Sequence, residues 1–149
     1  MGKSKNILSA LEEIRLSNGG ILSPAGVVEA ARRRDHPLHD RFEWDDTEAA
    51  RQYRLWQARE LILATVTVLP GSDDLVRVYV SLQDDRGGDG GYRAMVDVLQ
   101  DKELYSQMMM EALEDFQKWQ RKYRAIAALR PVFRAADRVR SRLLAPARK

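Results

Sequence analysis

Residues Leu63 to Leu82 read LATVTVLPGSDDLVRVYVSL, and this stretch decides the fold. β-Branched residues crowd two short runs, Leu63–Leu69 and Leu75–Leu82, split by Pro70, Gly71, Ser72, Asp73 and Asp74. Branched side chains suit a pleated, half-buried surface, and the proline, glycine and aspartates between them set a turn. In the second run Val76, Val78 and Val80 alternate with Arg77, Tyr79 and Ser81, a period of two. The stretch predicts an antiparallel hairpin in a chain that is otherwise patterned for helices.

Upstream, Ile7, Leu8, Leu11 and Ile14 fall at helical spacing, and Asn18, Gly19 and Gly20 supply a stop. Ser23-Pro24 opens a second helix reaching about Arg33, because serine caps free amides and proline loses nothing at the first helical position. DHPLHDRFEW, Asp35 to Trp44, is aperiodic and is expected to be an ordered turn that plugs Leu38, Phe42 and Trp44 into the core. Asp45 or Asp46 is expected to cap a third helix, about Asp46 to Ile62, with Glu48 answering Asp45 in a reciprocal cap. Tyr53 and Trp56 on one side of it, and Leu55, Ala58 and Ile62 on another, predict a central helix.

Downstream, the glycine-rich DDRGGDGG of Asp84 to Gly91 is expected to be a flexible loop, and Tyr92 to Leu99 suits either a strand or a short helix. Asp101 then caps a long helix in which Tyr105, Met109, Ala112, Phe116, Trp119, Tyr123 and Ile126 alternate steps of four and three, a heptad seam. Arg130-Pro131 interrupts it, and Val132, Ala136, Val139 and Leu143 resume the same steps. The expected architecture is α+β and mainly helical. It comprises a winged helix-turn-helix-like domain over 1–83, a glycine-rich loop over 84–91 and a coiled-coil-like helical arm over 92–149.

Charge is divided along the chain more than its net +3 suggests. Between residues 93 and 115 six acids meet only Arg93 and Lys102, whereas from Lys118 onward eleven bases meet the single acid Asp137. Such a cationic segment favours an anionic partner. No cysteine is present, which excludes disulfides and thiolate chemistry. The opening MGKSKNILSALEEI reaches acids before any apolar run of signal-peptide length, and no apolar stretch approaches the roughly 20 residues of a membrane span, so a cytoplasmic protein without membrane association is expected.

Three helices followed by a hairpin is the order of a winged helix-turn-helix, in which one helix fits the major groove and the wing touches the backbone. On that reading Arg51, Gln52, Arg54, Gln57 and Arg59 of the third helix, and Arg77 of the wing, are the DNA-contacting side chains. The same residues would also suit the wet face of a surface helix. Arg130, Arg134, Arg138 and Arg142 fall four apart and form one cationic ridge, for which either a phosphate backbone or acidic protein would compensate. Tyr105, Met109, Phe116, Trp119 and Tyr123 form the expected homo-oligomer interface.

His36 and His39 lie among several acids, but no third ligand stands at a recognisable distance, and the acids are better used as turn and cap residues. DDRGGDGG lacks the Gly-Lys-Ser/Thr ending of a phosphate loop, and its aspartates repel phosphate. With no nucleophile beside a histidine–acid pair, the expectation is no enzyme, no metal and no cofactor. The block SPAGVVEAARRRDHPLHDRFEWDDTEAARQYRLWQAREL, Ser23 to Leu61, resembles uncharacterised small phage- and prophage-encoded proteins. HPLHDRFEWDD and QYRLWQAR carry the likeness, and GYRAMVDVL and KWQRKY are similar too. The resemblance implies bacterial cytoplasm and a phage context, and assigns no functional residue. The expected function is non-catalytic DNA binding as a dimer, or alternatively a phage assembly accessory that binds only protein.

Overall fold

The computed structural model of the chain describes residues 2–44, 47–69, 71, 73–88 and 90–145. It divides into two compact units, Met1–Asp101 and Lys102–Lys149. The fold is mainly helical with two small antiparallel strand pairs, α+β as the sequence predicts.

In the first unit α1 (Gly2–Ser17) buries Ala10, Leu11 and Ile14. It ends where the glycines predict: Gly20 takes φ +90°, a conformation that costs any residue with a Cβ, and its N–H donates to Arg15 O at 2.9 Å. Ser23 caps α2 (Pro24–Ala31), its hydroxyl accepting from Gly26 N–H at 3.0 Å, and Val27, Val28 and Ala31 are buried. In the turn that follows, Leu38 and Phe42 are buried as expected and Trp44 is half-buried against them. Trp44 lies flat on His39, ring centroids 5.0 Å apart, and its Nε1–H donates to His39 O at 3.0 Å.

Thr47 caps α3 (Glu48–Ala64), accepting from Ala50 N–H at 3.2 Å. Asp45 and Asp46, the expected caps, lie outside the described residues, as do Pro70 and Ser72 of the turn. Leu63 and Ala64 extend α3, since both are good helix formers that continue the helix past buried Ile62. The first strand is therefore short. β1 (Val66–Val68) pairs antiparallel with β2 (Leu75–Arg77), Val66 opposite Arg77 and Val68 opposite Leu75.

The second β-rich run serves two partners. Beyond Arg77 it continues as β3 (Tyr79–Val80), which pairs with β4 (Arg93–Ala94) and not with β1. Tyr92 in turn bridges Leu22, the residue between α1 and α2, through two bonds of 2.8 Å. Tyr92–Leu99 is thus part strand and part helix, β4 leading directly into α4 (Met95–Gln100). Ala94 and Val98 are buried, and the first unit includes these residues, which the sequence groups with the arm.

Where the sequence leads to an expected flexible glycine loop, its first residues carry defined contacts. Gln83–Arg86 forms a 3-10 turn, and the Asp85 carboxylate accepts from Arg93 at 2.7–3.0 Å. Gly91 is required by space, because a Cβ there would stand 2.9 Å from Ile21 Cγ2.

One polar network crosses the core. Tyr79, fully buried, donates its hydroxyl to Glu12 Oε1 at 2.7 Å, while Arg15 donates to Glu12 at 3.0 Å and to Asp97 at 2.8 Å. It ties α1 to β3 and α4. Burial alone would raise the Glu12 carboxyl, but the bonds from Arg15 and Tyr79 outweigh it and hold the carboxyl below its ordinary range. A carboxyl whose pKa is depressed by folding adds stability above its unfolded value, and that stability disappears as pH falls through the folded value. Glu12→Gln is therefore expected to cost about 1–2 kcal/mol at neutral pH, since Glu12 stays one-third exposed. Denaturant melts at pH 7 and in acid check this, the difference from the unmodified protein shrinking in acid.

In the second unit α5 (Lys102–Tyr123) and α6 (Arg130–Leu144) are joined through a 3-10 turn, Ala127–Leu129. Pro131 occupies the first turn of α6, where its missing N–H costs nothing. Trp119 is the hub: it meets Phe116 at 5.4 Å, Tyr123 at 5.3 Å and Phe133 of α6 edge-on at 5.8 Å. Phe133 is the buried residue of α6, and α5 has none.

Candidate nucleic-acid interface

On α3 the structure separates the residues that the sequence grouped. Arg54, Ala58 and Ile62 share the buried face, four apart, so Arg54 is only 5% exposed. Its Nη1 donates to Glu43 O at 2.8 Å and its guanidinium stands 5.5 Å over the Trp44 ring. Gln57 accepts from Glu43 N–H at 3.4 Å. Arg54 holds the 35–44 turn against α3, and its burial argues against the base contact expected of it, whereas Gln57 is only half-buried. Arg51 and Gln52 are exposed and bond to Glu48 at 3.4 and 2.9 Å, and Arg59 and Arg77 are exposed. The outer face of α3 is instead aromatic: Tyr53 and Trp56, expected in a central helix, are each 50% exposed and stack 5.5 Å apart at 18°.

In the second unit, Arg130, Arg134, Arg138 and Arg142 are all exposed on α6. Among the described residues no carboxylate pairs with any of them. From first to last they span about 18 Å of helix axis. Three like-charged steps of that kind cost an isolated helix about 1 kcal/mol, so an anionic surface alongside would relieve a strain already present. Arg148 and Lys149, the last bases of the sequence, lie outside the described residues.

A second group of cations escaped the sequence reading. Arg121 of α5, Arg124 of the turn that follows it and Arg140 of α6 line one cleft of about 340 Å³ together with Gln117, Gln120 and Asp137. The i,i+3 spacing of Arg121 and Arg124 was visible, but their meeting with Arg140 depends on how α6 packs against α5. A guanidinium carries only donors, so the Gln117 amide presents its oxygen to Arg140, which donates to it.

Of the seam, Met109, Phe116 and Tyr123 are half-buried, whereas Tyr105 and Trp119 are 41% and 39% exposed. Ile126 falls beyond the end of α5. His39 contacts Ala31 O at 2.9 Å and His36 accepts from Leu38 N–H at 3.3 Å, so both histidines serve the turn. Burial holds the His36 imidazole below its ordinary value. Among the described residues no histidine–acid group has metal-binding geometry, and no helix is long and apolar enough to cross a membrane. Comparison with protein-family models, with curated proteins and with solved structures gives no match to this chain.

Proposed function

We propose that this protein is a non-catalytic DNA-binding protein that grips the phosphate backbone through the arginine ridge of α6 and dimerises through the aromatic seam of α5. The observation that carries the reading is the ridge itself: four exposed guanidiniums at about one-turn intervals, none ion-paired with a described carboxylate although Asp137 lies on the same helix. Over about 18 Å of axis a duplex carries about ten phosphates, and neutralising them releases condensed counterions. Guanidinium forks suit phosphate oxygens in pairs.

The order of three helices and a hairpin supports a winged-helix-like first unit, in which Arg54 is committed to the turn and Arg51, Gln52 and Arg59 are the exposed polar groups of α3. Binding by phosphate contacts positions a protein without specifying sequence. Unrelated duplexes of one length should therefore bind within about threefold of each other, measured by fluorescence anisotropy, where a specific reader would separate them by at least about 10³. The phage or prophage setting in bacterial cytoplasm rests on the HPLHDRFEWDD block and belongs to the same proposal.

Self-association follows from the half-covered seam. Light scattering at tens of micromolar is expected to give twice the mass of one chain, and Tyr105→Ala with Met109→Ala, which leaves the Trp119–Phe133 contact in place, to give one. A strictly monomeric unmodified protein would remove dimerisation from the proposal.

A second reading is favoured by one observation, the stacked and half-exposed Tyr53–Trp56 pair on α3. Aromatic residues of that exposure anchor protein interfaces, which fits an assembly accessory whose arginines meet acidic protein. Absence of any duplex affinity at low salt would transfer the proposal to this reading.

A further inference from the structure

The cleft of the second unit contains cations that the ridge does not use. Arg121 of α5, Arg124 of the turn after it and Arg140 of α6 bring three guanidiniums to one cleft, against the single carboxylate of Asp137. Arg140 turns its donors on the Gln117 oxygen, which fixes it toward α5 and leaves its positive charge, not its fork, to the cleft. Gln120 adds a neutral amide donor to the wall.

The charge of this lining selects its ligand. Three cations and one anion leave a formal charge of about +2, whereas an internal DNA phosphate carries about −1 and a phosphomonoester about −1.5 to −2 at neutral pH. A monoester also presents three terminal oxygens, which the forks of Arg121 and Arg124 can share while the Arg140 charge stands beside them. The ridge is an open, straight row suited to successive internal phosphates; the cleft is concave and suits a group at the end of a chain. Resting on the DNA-binding reading, we propose that this cleft is a phosphomonoester site and that its occupant is the terminal phosphate of a DNA strand.

The site is tested first with phenyl phosphate on the full chain, followed by the arginine Nε–H resonances. Saturable shifts at Arg121, Arg124 and Arg140 are expected, with affinity rising between about pH 5 and 7 as the second proton leaves near pH 6. Diphenyl phosphate, a diester, is expected to produce none. Arg121→Gln and Arg124→Gln should each weaken phenyl phosphate several-fold at unchanged helical content, and either suffices if the other unfolds. The occupant is then identified with duplexes: a 5′-phosphorylated duplex should bind about tenfold tighter than the same duplex with 5′-hydroxyl ends, and Arg124→Gln should erase that preference while retaining affinity for the hydroxyl form. No saturable monoester binding, or an equal response to the diester, would overturn the site. Equal affinity for the two duplexes, or a phosphoserine peptide outcompeting the phosphorylated duplex, would overturn its assignment to DNA ends. Loss of all duplex binding with phenyl phosphate still saturating the cleft would instead overturn the ridge as a DNA contact and the DNA occupant, leaving the monoester site standing.

Discussion

Neutralising Arg134 and Arg138 together, as Arg134→Gln with Arg138→Gln, is expected to weaken duplex binding on the order of a hundredfold at about 50 mM salt. Each lost phosphate contact removes about 0.9 from the slope of log affinity against log salt, and the loss in affinity is that slope multiplied by the distance from molar salt. The two side chains are exposed and without described partners, so the variant is expected to keep its melting temperature. The effect should be the same on every duplex, because phosphate contacts carry no sequence information. Anisotropy titrations at several salt concentrations check both statements. A loss confined to particular sequences would mean that the ridge touches base edges.

Arg54→Ala is expected to destabilise the first unit by about 3–4 kcal/mol, roughly 15 °C in melting temperature. Three contributions add: a charge-assisted bond to Glu43 O worth about 1.5–3 kcal/mol, a cation over the Trp44 ring worth about 1 kcal/mol, and the packing of a buried aliphatic stem. Trp44→Ala is expected to cost about 3 kcal/mol, the lower end for a large aromatic because Trp44 is half-buried. If Arg54→Ala kept full stability and lost discrimination between duplexes, Arg54 would be a reader of bases after all.

The distinction between Arg54 and Arg134 marks where sequence reasoning stops. Element identity was legible from local pattern: the glycine stop after α1, the Ser23-Pro24 start of α2, the turn plugged by Leu38 and Phe42, and the restart at Arg130-Pro131 each follow from backbone preferences within a few residues. Pairing was not. The run Leu75–Leu82 has one period, yet its first half pairs with β1 and its second with β4, because Leu22 and Tyr92 bring a distant segment alongside. The orientation of α3 was misread for a related reason. Tyr53 and Trp56 outweigh Arg54 in hydropathy, but Trp44 and Glu43 offer Arg54 a ring and a carbonyl, so a cation is buried and two aromatics face outward. On α6 the ridge was legible, since an i,i+4 row needs only a helix; the cleft needed the partner helix as well.

Duplex binding by the unmodified chain is expected to weaken steeply with salt. Log affinity plotted against log salt is expected to be linear with a slope of about −3.6 or steeper, four ridge arginines each contributing about −0.9. No measurable affinity at about 20 mM salt, or a slope near zero, would contradict it, because electrostatic binding is strongest where salt is lowest.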